Sequence, residues 1–97
     1  MIGVYLRPEA ELDVRAIALW YEDEDPGLGD QFVRQLEVSV RNIAELPSQF
    51  PVVTPGVRRA LLRRFPYGIY FVVDPARIVV LGVFHQHRDP TAWRERL

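Results

Sequence analysis

The sequence predicts an α+β fold: an N-terminal strand, an antiparallel helical hairpin packed on a small antiparallel sheet, in the order β-α-α-β-β-β, and a short C-terminal helix. Three observations predict it. Residues 8–46 carry apolar side chains at helical spacing and are interrupted once, by Asp25-Pro26-Gly27. Residues 57–84 instead hold three strand-like runs in immediate succession, separated by Pro66 and by Asp74-Pro75. Charge changes sign between these two regions. Residues 1–50 hold 10 acidic and 4 basic side chains and residues 51–97 hold 3 acidic and 8 basic, so halves of about −6 and +5 hide behind a net charge of −1.

The 97 residues fit one domain, 1–97, large enough for a real but thin core. A hydrophobic content of 48% with mixed charge belongs to folded rather than disordered chains. No apolar run approaches the roughly 18 residues of a bilayer span, and Met1 to Arg7 has neither a basic leader region nor a cleavage site. A cytoplasmic protein without a membrane partner is expected. Cysteine is absent, which excludes disulfides, thiolate nucleophiles and cysteine zinc sites. All 12 basic side chains counted are arginine, so lysine chemistry is excluded as well.

Val4, Tyr5 and Leu6 suggest a first short strand. Pro8 suits the first turn of a helix, where Glu9, Glu11 and Asp13 complement the helix dipole. Leu12, Ala16 and Leu19 repeat at helical spacing, with Val14, Ile17 and Tyr21 widening the face, to about residue 22. Glu22 to Gly27 reads as a charged, solvated turn rather than a catalytic carboxylate pair. From Leu28 a second helix places Phe32, Val33, Leu36, Val40, Ile43 and Ala44 on one face and ends near Leu46-Pro47. Pro47 to Pro51 and Thr54 to Gly56 are expected to be connectors.

Val57 to Phe65 reads as a strand with Arg59, Leu61, Arg63 and Phe65 on one face and Arg58, Ala60, Leu62 and Arg64 on the other. Tyr67 to Val73 alternates in the same way, and Asp74-Pro75 opens a tight turn. Ile78 to Phe84 is apolar throughout, as suits the centre of a sheet covered on both faces. His85-Gln86-His87-Arg88 follows at its exit. Asp89 and Pro90 are expected to be the N-cap and first residue of a last short helix, in which Trp93 and Leu97 could pack together.

The run R-R-F-P-Y-G-I-Y-F-V-V-D, followed by V-V-L-G-V-F-H-Q-H-R-D-P-T-A-W, resembles the RelE/ParE superfamily of toxins from bacterial type II toxin-antitoxin systems. The resemblance covers nearly the whole chain. It implies a growth-inhibiting toxin neutralised by a cognate antitoxin in a hetero-oligomer, the antitoxin's C-terminal segment crossing the hairpin and the sheet. It implies one of two targets: DNA gyrase on the ParE side, or ribosome-bound mRNA, cut as by an endoribonuclease, on the RelE side.

RNA cleavage through the 2'-hydroxyl needs a base, cations for the phosphate and an acid for the leaving oxygen. Arg63, Arg64, His85 and Arg88 are the catalytic candidates for that chemistry. Arg58, Arg59, Arg63, Arg64, Tyr67, His87 and Arg88 are the candidates for gripping a target or a phosphate. RelE-like nucleases are expected to use lysines and a C-terminal tyrosine or histidine. This chain has no lysine and ends Trp93-Arg94-Glu95-Arg96-Leu97, so the ParE side is favoured. A non-toxic basic binding module of the same fold is the remaining alternative.

Each of these residues also has a structural reading. The arginines could snorkel over the sheet edge or pair with helix carboxylates, Tyr67 and Tyr70 could be packing residues, and His85 a hydrogen-bonded strand end. His85, His87 and Asp89 would share a face of an extended strand, but Asp89-Pro90 is better explained as a helix start. No metal and no cofactor are expected.

Overall fold

The computed structural model describes residues 3–97; Met1 and Ile2 lie outside them. The chain runs β1 (Val4–Leu6), α1 (Pro8–Glu24), α2 (Leu28–Glu45), a 3₁₀ turn (Pro47–Gln49), β2 (Val52–Thr54), β3 (Val57–Leu61), β4 (Tyr67–Val73), β5 (Ile78–His85) and a 3₁₀ turn (Ala92–Arg96). The α+β class and the order strand, helical hairpin, sheet are those the sequence predicts. One sheet of order β1-β5-β4-β3-β2 holds every strand.

The helices pack on one face of that sheet because each strand alternates. Ala60 of β3, Ile69 and Phe71 of β4, and Ile78 and Val80 of β5 meet Phe32, Leu36 and Ile43 of α2 and Ile17 of α1. On the opposite face Val57, Tyr70, Leu81 and Phe84 form a second, smaller core closed by Trp93. Complete burial of each large apolar side chain contributes about 1.5–3 kcal/mol.

Several details differ from expectation. The sheet is mixed, because β1 runs parallel to β5 while the other pairs are antiparallel. Val52–Thr54, expected to be connecting chain, is an edge strand joined to β3 through Pro55-Gly56, whose glycine sits at φ 85°, as a Pro-Gly turn prefers. The central strand is therefore β4, with β5 beside it. β3 ends at Leu61 rather than Phe65, since the reversal into β4 consumes residues 63–66. Leu62 still donates to the Tyr67 carbonyl at 2.9 Å, and Pro66 has no amide with which to continue the ladder. This reversal puts Arg64 at φ 70° and turns Phe65 into the helix-side core, opposite to simple alternation.

On α1 the expected core face is met only in part: Val14, Ile17 and Tyr21 pack on the core, whereas the other three members do not. Leu12 and Leu19 are 64% and 59% exposed and Ala16 is exposed too, while Ala10 and Ile17 are buried. The helix is apolar on much of its circumference, so spacing alone could not rank its faces. The C-terminal segment is a 3₁₀ turn whose N-cap position is Thr91, without a side-chain cap, instead of a helix capped by Asp89. Trp93 stacks on Tyr70 at 5.8 Å, whereas Leu97 is exposed.

Candidate functional site

At the end of β5 the chain folds around a histidine. His85 Nδ1 accepts the backbone amides of His87 and Arg88, both at 3.1 Å, and the Asp89 amide returns to the His85 carbonyl at 3.0 Å. An Nδ1 that accepts hydrogen bonds belongs to a neutral ring with its proton on Nε2. Burial, followed by the charges of Arg88 and His87, holds the His85 pKa below its ordinary value, with Asp89 opposing.

The same turn presents Arg88, whose Nη2 donates to the Tyr67 hydroxyl at 3.2 Å. Tyr67 stands edge-on to His85 at 5.2 Å. Behind them Tyr21 of α1 lies 6.3 Å from Tyr67, and burial, then the neighbouring Tyr67, pushes its phenol pKa up. A cleft of about 430 Å³ is lined by Tyr67, His85, Arg88 and Asp89 on the sheet side and by Asp13, Ile17 and Trp20 on α1. It joins an aromatic wall to one guanidinium and two carboxylates, Asp13 and Asp89, a combination suited to gripping a planar polar group.

The other predicted residues lie elsewhere. Arg58 donates to the Phe50 carbonyl at 2.6 Å and to Ser48 at 3.3 Å, so it fastens the 3₁₀ turn to the sheet. Arg59 is half-buried along Gly68, and its Nε is buried without a partner. Arg63 borders a separate groove beside α2, and Arg64 donates to Gln31 of α2 at 3.2 Å. His87 is exposed, 5.9 Å from the His85 ring. The four residues proposed for RNA cleavage are therefore divided: His85 and Arg88 line the α1 cleft, while Arg63 and Arg64 border α2.

Sequence reasoning missed three contributors. Trp20, 51% exposed, supplies the cleft's outer wall, and an exposed tryptophan on a helix was the available signal. Asp13 was read only as a helix-dipole carboxylate, yet it makes a paired contact with Arg96, Nη1 to Oδ2 and Nη2 to Oδ1 at 3.0 Å, and accepts the Val83 amide at 3.0 Å. Glu22, read as solvated, accepts the amides of Gly27 and Gly29 at 2.9 Å and 3.1 Å, neutralising the open N-terminus of α2.

A family model for the ParE toxin of type II toxin-antitoxin systems, parDE, matches residues 4–90. No curated protein matches the chain. Among solved structures, it is similar to a chain described as the chromosomal ParDE toxin-antitoxin system from P. aeruginosa. The identity is 25% and the TM-score 0.78, over 88% of this chain and 96% of that one. With the family's pattern running from β1 to the turn after β5, the chain belongs to the ParE toxins of type II toxin-antitoxin systems.

Proposed function

We propose that this ParE-family toxin arrests growth by gripping DNA gyrase, with the Tyr67, His85 and Arg88 cleft as its contact, and not by cutting RNA. The observation that carries the reading is the division of the cationic residues. A 2'-hydroxyl cleavage site needs base, acid and phosphate-binding cations around one phosphodiester, whereas Arg63 and Arg64 face α2 and His85 lines the cleft on α1. His85 also has Nδ1 engaged by its own turn. Family membership supports the ParE side independently.

The family implies a cognate antitoxin. A surface for it is supported by the outer groove between α1 and α2, about 420 Å³, with Val14, Ala18, Leu19 and Val33 along its floor. Leu19 stands 59% exposed along it, an apolar patch that a partner helix would cover.

Expression of the chain from an inducible promoter without its antitoxin tests the reading. Growth arrest with induction of the DNA-damage response is expected, and Arg88→Glu should weaken both while leaving the circular-dichroism spectrum unchanged. Harmless expression, or arrest accompanied by ribosome-dependent mRNA cuts that Arg63→Ala or His85→Ala abolishes, would overturn it.

A further inference from the structure

Arg88 is held at both ends by one cross-strand pair. Tyr67 of β4 and His85 of β5 face each other in the ladder. The Tyr67 hydroxyl accepts from the Arg88 guanidinium at 3.2 Å, and the His85 ring accepts from the Arg88 backbone amide at 3.1 Å. The same nitrogen, Nδ1, also accepts from the His87 amide. On either side the turn is tied by backbone alone: the Gln86 amide donates to the Pro66 carbonyl at 2.9 Å, and the Asp89 amide to the His85 carbonyl. Among the described residues no backbone carbonyl takes the amide of His87 or Arg88. The ring of His85 is therefore the acceptor that closes the turn.

The two ring nitrogens have different duties. Nδ1 is engaged twice by the turn, which puts the proton of the neutral ring on Nε2. His85 lines the cleft beside Arg88, so its two conceivable roles separate by atom: contact with a target through Nε2, or support of Arg88 through Nδ1. Residues 86–91 form neither helix nor strand. Loss of the Nδ1 bonds would leave two amides of this segment without a partner, one of them belonging to Arg88 itself.

We propose that His85 is a positioning residue, which holds through Nδ1 the turn that aims Arg88 along the cleft and does not itself touch the target. This rests on the reading of Arg88 as the cleft's gripping group, and not on the identity of what it grips. Only the neutral ring can serve, because a proton on Nδ1 removes the acceptor. The groups facing the ring are His87, Arg88 and Asp89 on its own turn, Tyr67 on β4, and Tyr21 and Asp13 on α1 behind Tyr67 and across the cleft. Burial, then the charges of Arg88 and His87, outweigh Asp89 and favour the neutral ring. The turn is therefore closed at neutral pH and opens on acidification below the ordinary histidine value of about 6.5.

Asparagine and glutamine variants separate the two roles, because the Asn side-chain oxygen falls where Nδ1 lies and the Gln amide reaches towards Nε2. Each toxin is induced without antitoxin, and growth arrest is read against inducer concentration at matched levels of soluble toxin. Arg88→Ala should raise the inducer needed at least tenfold, and His85→Ala and His85→Gln at least fivefold. His85→Asn should restore most of what His85→Ala loses. In amide NMR of the unaltered chain, His87 and Arg88 should shift together with the His85 ring as pH falls from about 7.5 to about 5, and should hold their positions in His85→Asn. The proposal is overturned by Asn restoring no more arrest than Gln, by undiminished arrest in His85→Ala or Arg88→Ala, or by His87 and Arg88 amides that ignore the titration of the ring. Failure of the gyrase reading shows separately, as growth arrest with undiminished supercoiling.

Discussion

His85 shows how one side chain organises a functional turn. Its neutral ring receives two backbone amides, and its pKa lies below the ordinary value through burial and then Arg88 and His87. Unfolding returns it to about 6.5. The unfolded chain therefore binds the proton first, so the stability His85 provides is present above about pH 6.5 and declines as pH falls through the window between the unfolded and the lower folded value. His85→Asn should flatten this part of the stability-pH profile while keeping the turn, because an Asn carbonyl accepts the same two amides. His85→Ala should cost about 1 kcal/mol in denaturant titrations at pH 7.5. Arg64 is the second special position. Its left-handed backbone is one that glycine adopts without strain, so Arg64→Gly should raise stability by up to about 1 kcal/mol, read as a higher melting temperature. The sequence named both residues but could not show their setting. His85 was followed correctly to a strand end, whereas Arg64 was carried along a strand that in fact turns before it.

Among the elements, β5 explains why the C-terminus matters to the fold. β1 is three residues long and stops at Leu6, and the Arg7 amide reaches the Val80 carbonyl. The edge of β5 beyond Val80 has no strand neighbour. At this place the ladder with β4 is also bulged, Tyr70 pairing Gly82 and Phe71 pairing Val80. Asp13 takes the Val83 amide, and Arg96 donates to the Leu81 carbonyl at 3.2 Å while pairing with Asp13. Two side chains from opposite ends of the chain thus finish the edge.

Gly82 lies under that pair. A Cβ there would stand 2.4 Å from Arg96 Nη1, 2.6 Å from Phe84 Cε2 and 2.8 Å from Asp13 Oδ2. Gly82→Ala is expected to displace the pair at a cost of about 1–3 kcal/mol. Asp13→Ala, which leaves Arg96 without its carboxylate, should cost about 2 kcal/mol. Urea titration followed by Trp93 fluorescence measures both, since Trp93 is buried on the adjacent face. No spacing rule connects residue 13 with residue 96, so this contact was illegible in the sequence. The strands themselves were legible, because alternation in Tyr67–Val73 and the apolar run in β5 are local properties. β2 was missed because three residues between prolines carry too little pattern.

At the scale of the whole molecule, the division of charge along the chain becomes a division of surfaces. The acidic half forms the helices, where Glu22 is spent on the start of α2, and the arginine-rich half forms the sheet and its edges. Three surfaces result: a groove on the outside of the hairpin, a cleft at the end of β5 with Arg88, and a groove beside α2 bordered by Arg63. The overall fold and the family resemblance were available from the order of the elements and the arginine, tyrosine and histidine runs. The grouping of the arginines was not, because it depends on where β3 turns. That grouping underlies the claim that the toxin grips and does not cut.

A gyrase supercoiling assay with the purified chain tests this claim most directly. Relaxed plasmid, gyrase and ATP should yield less supercoiled product as the toxin is added, with linear DNA released from trapped complexes, and Arg88→Glu should restore supercoiling. Undiminished supercoiling at a large molar excess of a toxin that still arrests growth, with cleaved mRNA in a translating extract, would contradict it.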